Sequence, residues 1–374
     1  MLLRMVAAAC VCLLLSQSCV ENRGGVVGED RARGGRAADS AGATVGYRLR
    51  GGRAADSVAH SGVFGKQGAP GVPERPGLPE RPKRPTVDDV ILEKELLYDR
   101  YTLSDSFPYG DGVRVFQFDK MRARLFMLDS IQRIPSLWAV LQNRGNVNGE
   151  SPLVKAWARN EYGLVSDAAG VERYQSVVLY GPGETEGECY GRDGSLVRLI
   201  GYSVDSTRRL VESYNAPGVW EAELRYVKPI AEGTAFRKAV MVDRTNQNIA
   251  TVEKVSDRWL VRSMNPATTG LHNPPYAHPT PVGMFVVQEK KLKMYYNRDG
   301  TDLLAGYAPW ASRFCNGAYL HGVPTNDTRA DIIEFSRTLG TTPKSHMCVR
   351  NASSHAEFIY DFAPVMESVV FVYD

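Results

Sequence analysis

Ser345-His346-Met347-Cys348-Val349-Arg350-Asn351, preceded by His321-Gly322, sets a thiol and two imidazoles within one short region of the chain. A thiol attacks as the thiolate, and a neighbouring imidazole can take its proton and later return it to a departing amine. Cys348 is therefore a candidate nucleophile, with His321 and His346 as candidate bases. The other reading makes Cys348 a small buried hydrophobe and the histidines loop residues that satisfy backbone groups. Ser354 followed by Glu357 has the form of a capping box, which predicts a helix from just after Cys348 to about Phe362, ahead of Pro364. The positive end of such a helix would lower the thiol pKa.

Working outward, the C-terminal part alternates with a period of two, which predicts short strands at 238–243, 247–254, 258–264, 284–289, 292–296 and 317–321. Upstream the pattern is mixed. The spacing of Ile91, Leu92, Leu96 and Leu97 predicts a helix over 87–101, and that of Met121, Leu125 and Leu128 one over 118–129. Residues 130–170 read as loops with short helices near Trp138 and Trp157. From Tyr174 the chain alternates and turns at Gly181-Pro182-Gly183, Arg192-Asp193-Gly194 and Ala216-Pro217-Gly218, finishing near Pro229. The expected organisation is a helical and loop-rich region at 87–172, a small β-rich module at 173–230 and a β domain at 235–374. The fold class is thus mainly β, with an α+β region preceding the C-terminal domain. The β-rich module reads either as a wall-binding unit or as a support packed on the C-terminal domain.

His321-Gly322, Leu339-Gly340 and Ser345-His346-x-Cys348-Val349-Arg350, in that order, resemble the signature of the L,D-transpeptidase (YkuD-like) catalytic domain family. Thr280-Pro281-Val282-Gly283-Met284-Phe285 is similar to that family's strand entry. The run from Val240 through Val252 is similar to its opening hairpin, and Ser368 to Val372 to its closing strand, so the resemblance covers about residues 235–374. It implies a β-sandwich with the Cys loop at one end and one helix after the catalytic Cys. It further implies that Cys348 attacks the carbonyl between residues three and four of a peptidoglycan stem tetrapeptide. His321 is then general base and general acid to the leaving D-Ala, and the N–H groups of Met347 and Cys348 stabilise the oxyanion. An amine from a neighbouring stem resolves the thioester into a 3-3 cross-link, with no cofactor. His346 and Ser345 are expected to orient the loop, and Gly322 to let substrate approach His321. Arg350, a fork of donors, is expected to hold an anionic stem group or else to form a salt bridge or cap. Met347 stands where the family usually has Gly, which changes the shape of the oxyanion loop. The alternatives are an L,D-carboxypeptidase or amidase on the same stems, with water as acceptor, and a catalytically impaired wall-binding lipoprotein.

Two further groupings carry less. His272 and His278 flank a Pro-rich loop without nearby acidic or Cys residues in sequence, a poor metal site, and no metal is expected. Cys315 lies six residues before His321 and reads as a buried neighbour of the site, a disulfide partner of Cys189 or a redox hazard for Cys348.

Met1 to Arg4, the apolar run Val6 to Leu15 and Ser16-Gln17-Ser18-Cys19 have the form of an export signal over residues 1–19, too short to span a bilayer. Cys19 reads as a lipid-attachment residue, against ordinary cleavage to a soluble envelope protein. Residues 20–86 are rich in Gly, Arg, Ala and Pro and repeat Gly-Gly-Arg-Ala-Ala-Asp-Ser, which reads as a disordered tether. The expected location is the cell envelope on the periplasmic side, lipid-anchored if Cys19 is modified. A net charge of +3 over 374 residues argues against a nucleic-acid partner; the resemblance implies peptidoglycan stem peptides as partners, and a modified Cys19 implies a lipid anchor to a membrane. Cys189, Cys315 and Cys348 alone remain beyond the leader, too few for a disulfide scaffold.

Overall fold

The computed structural model describes residues 84–374. The export signal, Cys19 and nearly all of the expected tether lie outside the described residues. No described helix is long and apolar enough to cross a membrane.

The C-terminal domain is built on a six-stranded sheet in which Leu92–Lys94, Arg258–Pro266, Asn248–Val255, Lys238–Asp243, Ser368–Tyr373 and Gly283–Val286 lie side by side in that order. Lys238–Asp243 and Ser368–Tyr373 run parallel in register, and their side chains alternate between two cores. Ala239, Met241, Val369 and Phe371 face one core, whereas Val240, Val242, Val370 and Val372 face the other. A strand apolar on both faces is one buried on both, as in the middle of a layered domain. Helix α1 (Phe118–Ile131) covers the first face with Met121, Leu125 and Leu128, the predicted stripe. The second face meets a four-stranded sheet, Glu289–Asn297, Leu304–Cys315, Ala318–His321 and Val349–Arg350 in that order, together with helix α2 (Ser353–Phe362).

Three predicted helices are not formed, over 87–101, near Trp138 and near Trp157. Over 87–101 there is a single 3-10 turn, Val87–Asp89, and a strand, Leu92–Lys94, paired parallel to Trp259–Val261. The open edge of that sheet satisfies the backbone, and Leu97 remains 60% exposed, so the four apolar residues never share one helical face. Near Trp138 the chain is the strand Leu137–Leu141, between Val227–Pro229 and Leu196–Tyr202. Trp157 lies between the turn at Lys155 and Ala156 and the two-residue strand Ala158–Arg159. The long strand Leu304–Cys315 was not among the expected strands, and it carries the centre of the flanking sheet.

The β-rich module is a seven-stranded sheet, and it takes Leu137–Leu141 from upstream of its expected start. That strand joins two cores: Trp138 and Val140 enter the core under α1, and Ala139 and Leu141 enter the module's own. Trp138 sets its edge against Phe236, ring centres 5.8 Å apart. A shared apolar core packs the module against the domain.

Candidate active site

The parallel pairing of Ala318–His321 with Val349–Arg350 sets Leu320 opposite Val349 and His321 opposite Arg350. Leu320 and Val349 point into the core. Period-two alternation therefore turns Tyr319, His321, Cys348 and Arg350 to the opposite face, where all four line one pocket of about 450 Å³. The hairpin between Glu289–Asn297 and Leu304–Cys315 supplies another wall through Tyr295, Tyr296 and Asp299.

His321 is buried, and its Nδ1 lies 2.6 Å from the carbonyl oxygen of Gly322. A carbonyl only accepts, so Nδ1 carries the proton and Nε2 is the bare, basic nitrogen. Burial pushes the imidazolium pKa down to about 4, with the Gly322 carbonyl opposing and Arg350 reinforcing the shift. Cys348 is half-buried, and burial pushes its thiol up to about 11, against the Tyr319 backbone N–H and Arg350. The helix was expected to lower this pKa. It begins at Ser353, five residues on, and burial dominates instead. The thiol donates to the Gly317 carbonyl at 3.6 Å. The His321 imidazole and the Cys348 thiol are thus both neutral at rest.

The loop carrying the thiol is fixed carbonyl by carbonyl. Leu271 N–H donates to Ser345 O at 2.8 Å and His278 N–H to His346 O at 2.5 Å. The Thr280 hydroxyl donates to Met347 O at 2.8 Å, and the Ser345 hydroxyl to Cys348 O. Met347 is absent from the non-glycine residues with positive φ, so this loop makes no demand for Gly there. Its side chain packs against the core behind the site. His346 is exposed and bonds Asp299 Oδ2 at 2.9 Å, which ties the loop to the hairpin wall.

Arg350 has no carboxylate partner among the described residues, and burial lowers its pKa without discharging it. The salt-bridge alternative for Arg350 is not formed. Gly322 has a packing task. A Cβ there would lie 2.6 Å from Ser353 Oγ and 2.8 Å from Pro309 Cγ, so the absent side chain makes room for the start of α2. That start is capped in trans: Glu334 accepts from Ser353 N–H through its backbone and from Ser354 N–H, at 3.1 Å, through its carboxylate. Glu357 is exposed and makes no capping box with Ser354.

Several pocket groups escaped the sequence reading. Arg144, from the upstream region, and Lys291 bond Glu289, whose carboxyl burial pulls up but Arg144, Lys291 and Arg313 hold below its usual range. Tyr319 OH donates to the same carboxylate at 3.3 Å. Cys315 is buried in the core and Cys189 sits on the module, both free thiols. His272 and His278 do have acidic company, Glu161 at 3.1 Å and Glu172 at 3.4 Å, with Tyr162 stacked on His278. Among the described residues no cluster of three or more metal-ligating side chains occurs.

Among solved structures the chain is similar to a fused Zn-dependent amidase/peptidase/peptidoglycan-binding protein from Clostridium acetobutylicum, at 18% identity over 37% of this chain and 53% of that one, TM-score 0.28. It is similar to an L,D-transpeptidase from Stackebrandtia nassauensis at 22% identity over 39% of this chain and 58% of that one, TM-score 0.25. An L,D-transpeptidase from Mycobacterium smegmatis aligns at 16% identity over 53% of this chain and 99% of that one, TM-score 0.30. The chain thus spans little more than half the length of the first two. No curated protein sequence matches it. Over residues 237–372 the chain matches the family model of the L,D-transpeptidase catalytic domain, YkuD.

Proposed function

We propose that this chain is a cysteine-dependent L,D-transpeptidase of peptidoglycan, with Cys348 as nucleophile and His321 as general base and acid. The observation that carries the reading is His321 with its Nδ1 committed to Gly322 O, one strand away from Cys348 on the same pocket face. Because both groups rest neutral, the proton leaves Cys348 for His321 Nε2 only as the thiol closes on substrate. The sulfur then bonds the carbonyl carbon between stem residues three and four, and the oxyanion takes the N–H groups of Met347 and Cys348. All four carbonyls of residues 345–348 are held by protein donors, which supports that use of the N–H groups. Collapse breaks the C–N bond, and His321 returns its proton to the departing D-Ala amine. The acceptor amine attacks the thioester, gives a proton to His321 and releases the thiol, leaving a 3-3 cross-link.

Arg350, unpaired beside the thiol, is the group that holds a stem carboxylate. Met1 to Cys19 is read as an export signal, with Cys19 lipidated and the domain on the periplasmic side. Incubation of the full chain with purified tetrapeptide muropeptides, followed by mass analysis of products, tests the function. A 3-3 linked dimer with free D-Ala is expected; tripeptide alone would make the chain a carboxypeptidase, and neither product would refute both.

A further inference from the structure

We infer that Asp193, on a turn of the upstream β module, is a positioning residue for Cys348. Asp193 is fully buried and has four donors drawn from both sides of the junction. Oδ1 accepts from Asn143 N–H at 2.8 Å. Oδ2 accepts from Arg313 Nη1 at 2.6 Å, from Gln288 Nε2 at 3.0 Å and from the Asn316 N–H at 2.9 Å. A buried carboxylate so saturated is fixed, because removing any one donor leaves charge uncompensated.

Asn316 is where the chain turns between Leu304–Cys315 and Ala318–His321, and it holds a φ of +44°. That conformation costs a non-glycine residue energy and persists where surroundings impose it. Asp193 imposes it from the N–H side, and Arg313 adds a 3.4 Å bond to the Asn316 carbonyl. The next residue, Gly317, presents the carbonyl that takes the Cys348 thiol. The path from module to nucleophile is therefore Asp193, the Asn316-Gly317 turn, then Sγ. Gly194 locks the insertion, since its N–H donates to Leu141 O at 2.7 Å and its carbonyl accepts from Val286 N–H at 2.9 Å. The nucleophile of one domain is set by a carboxylate of the other.

The inference rests on Cys348 being the nucleophile, but its test reads the thiol apart from transfer. The pH dependence of Cys348 alkylation by iodoacetamide, followed by peptide mass mapping, is compared in the full chain, in Asp193→Asn and in the charge-neutral Gln288→Met, which removes one of the four donors that fix Asp193. The titratable and charged groups that line the pocket with the thiol, His321, Tyr319, Arg350, Arg144, Lys291, His346, Asp299, Tyr295 and Tyr296, are the same in all three. Loss of a fixed acceptor for the neutral thiol favours thiolate, so both variants are expected to alkylate with a midpoint about 0.5–1 pH unit lower. Transfer should fall about tenfold with KM little changed. Lower midpoints in a chain that transfers nothing would keep the positioning role and remove the transpeptidase reading. Parent midpoints in both variants would overturn the inference, and if Asp193→Asn does not fold, Gln288→Met decides alone.

Discussion

Gly194→Ala is the sharpest test of how the upstream module is seated. Gly194 has a φ of +88°, where an L side chain costs about 1–2 kcal/mol. An added Cβ would stand 1.9 Å from the Phe314 carbonyl oxygen and 2.8 Å from Gln288 Nε2. Restoring ordinary contact requires the turn to retreat by about 1.5 Å. That retreat gives up the bonds of Gly194 to Leu141 and Val286, worth about 1 kcal/mol each. The expected loss is about 3–5 kcal/mol, or roughly 10 °C in Tm for a body of this size. Gly183 is the internal control, since it has a φ of +79° and an added Cβ there meets nothing within 4 Å. Gly183→Ala should show the backbone cost alone, about 1 kcal/mol. Thermal melts of both variants beside the parent separate strain from collision. A Gly194→Ala melt within about 1 kcal/mol of Gly183→Ala would refute the seating.

Arg350→Gln should raise KM for a carboxylate-bearing donor about tenfold while leaving an amidated donor almost unaffected; equal effects on both would remove the anion-holding role. Alkylation of Cys348 in the parent should climb towards a midpoint of about 11, and a midpoint near that of a free thiol would contradict the desolvated pocket. His321 and His355, whose pKa values burial lowers to about 4 and about 3, make stability acid-sensitive. The unfolded chain takes those protons first, so stability falls as pH drops from the ordinary imidazole value of 6.5, by roughly 3–5 kcal/mol per residue once fully developed. Denaturant melts between those limits should show the slope, and His355→Gln should remove about half of it; a flat profile would contradict burial of the neutral imidazoles.

The β architecture of the C-terminal domain was legible in the short strands read at 238–243, 247–254 and 258–264, and in the resemblance of Ser368 to Val372 to a closing strand, whereas burial of Lys238–Asp243 and Ser368–Tyr373 on both faces emerges only in the fold. Helix α1 was legible through the helical spacing of Met121, Leu125 and Leu128. The failures have one cause: partners distant in sequence. Ile91 and Leu92 look helical until the edge beside Trp259 claims their backbone. Trp138 looks like a loop helix until strands 50 and more residues away flank it. In the site, Cys348, His321, Ser345, Met347 and Arg350 were found together from local motifs. Arg144, Glu289 and Asp193 were not, since a charge gives no sign in sequence of which pocket it will reach. The thiol pKa was misjudged because a helix start can be read from sequence and the depth of a pocket cannot.

The central claim is that Cys348 becomes acylated by a stem peptide. Intact-mass measurement of the full chain during turnover with a purified tetrapeptide muropeptide, beside Cys348→Ala and His321→Ala, tests it most directly. The account predicts an adduct equal to the donor minus D-Ala on the parent, none on Cys348→Ala, and formation slowed by at least about a hundredfold on His321→Ala. An adduct that persists in Cys348→Ala, or product formed without any adduct on Cys348, would contradict it.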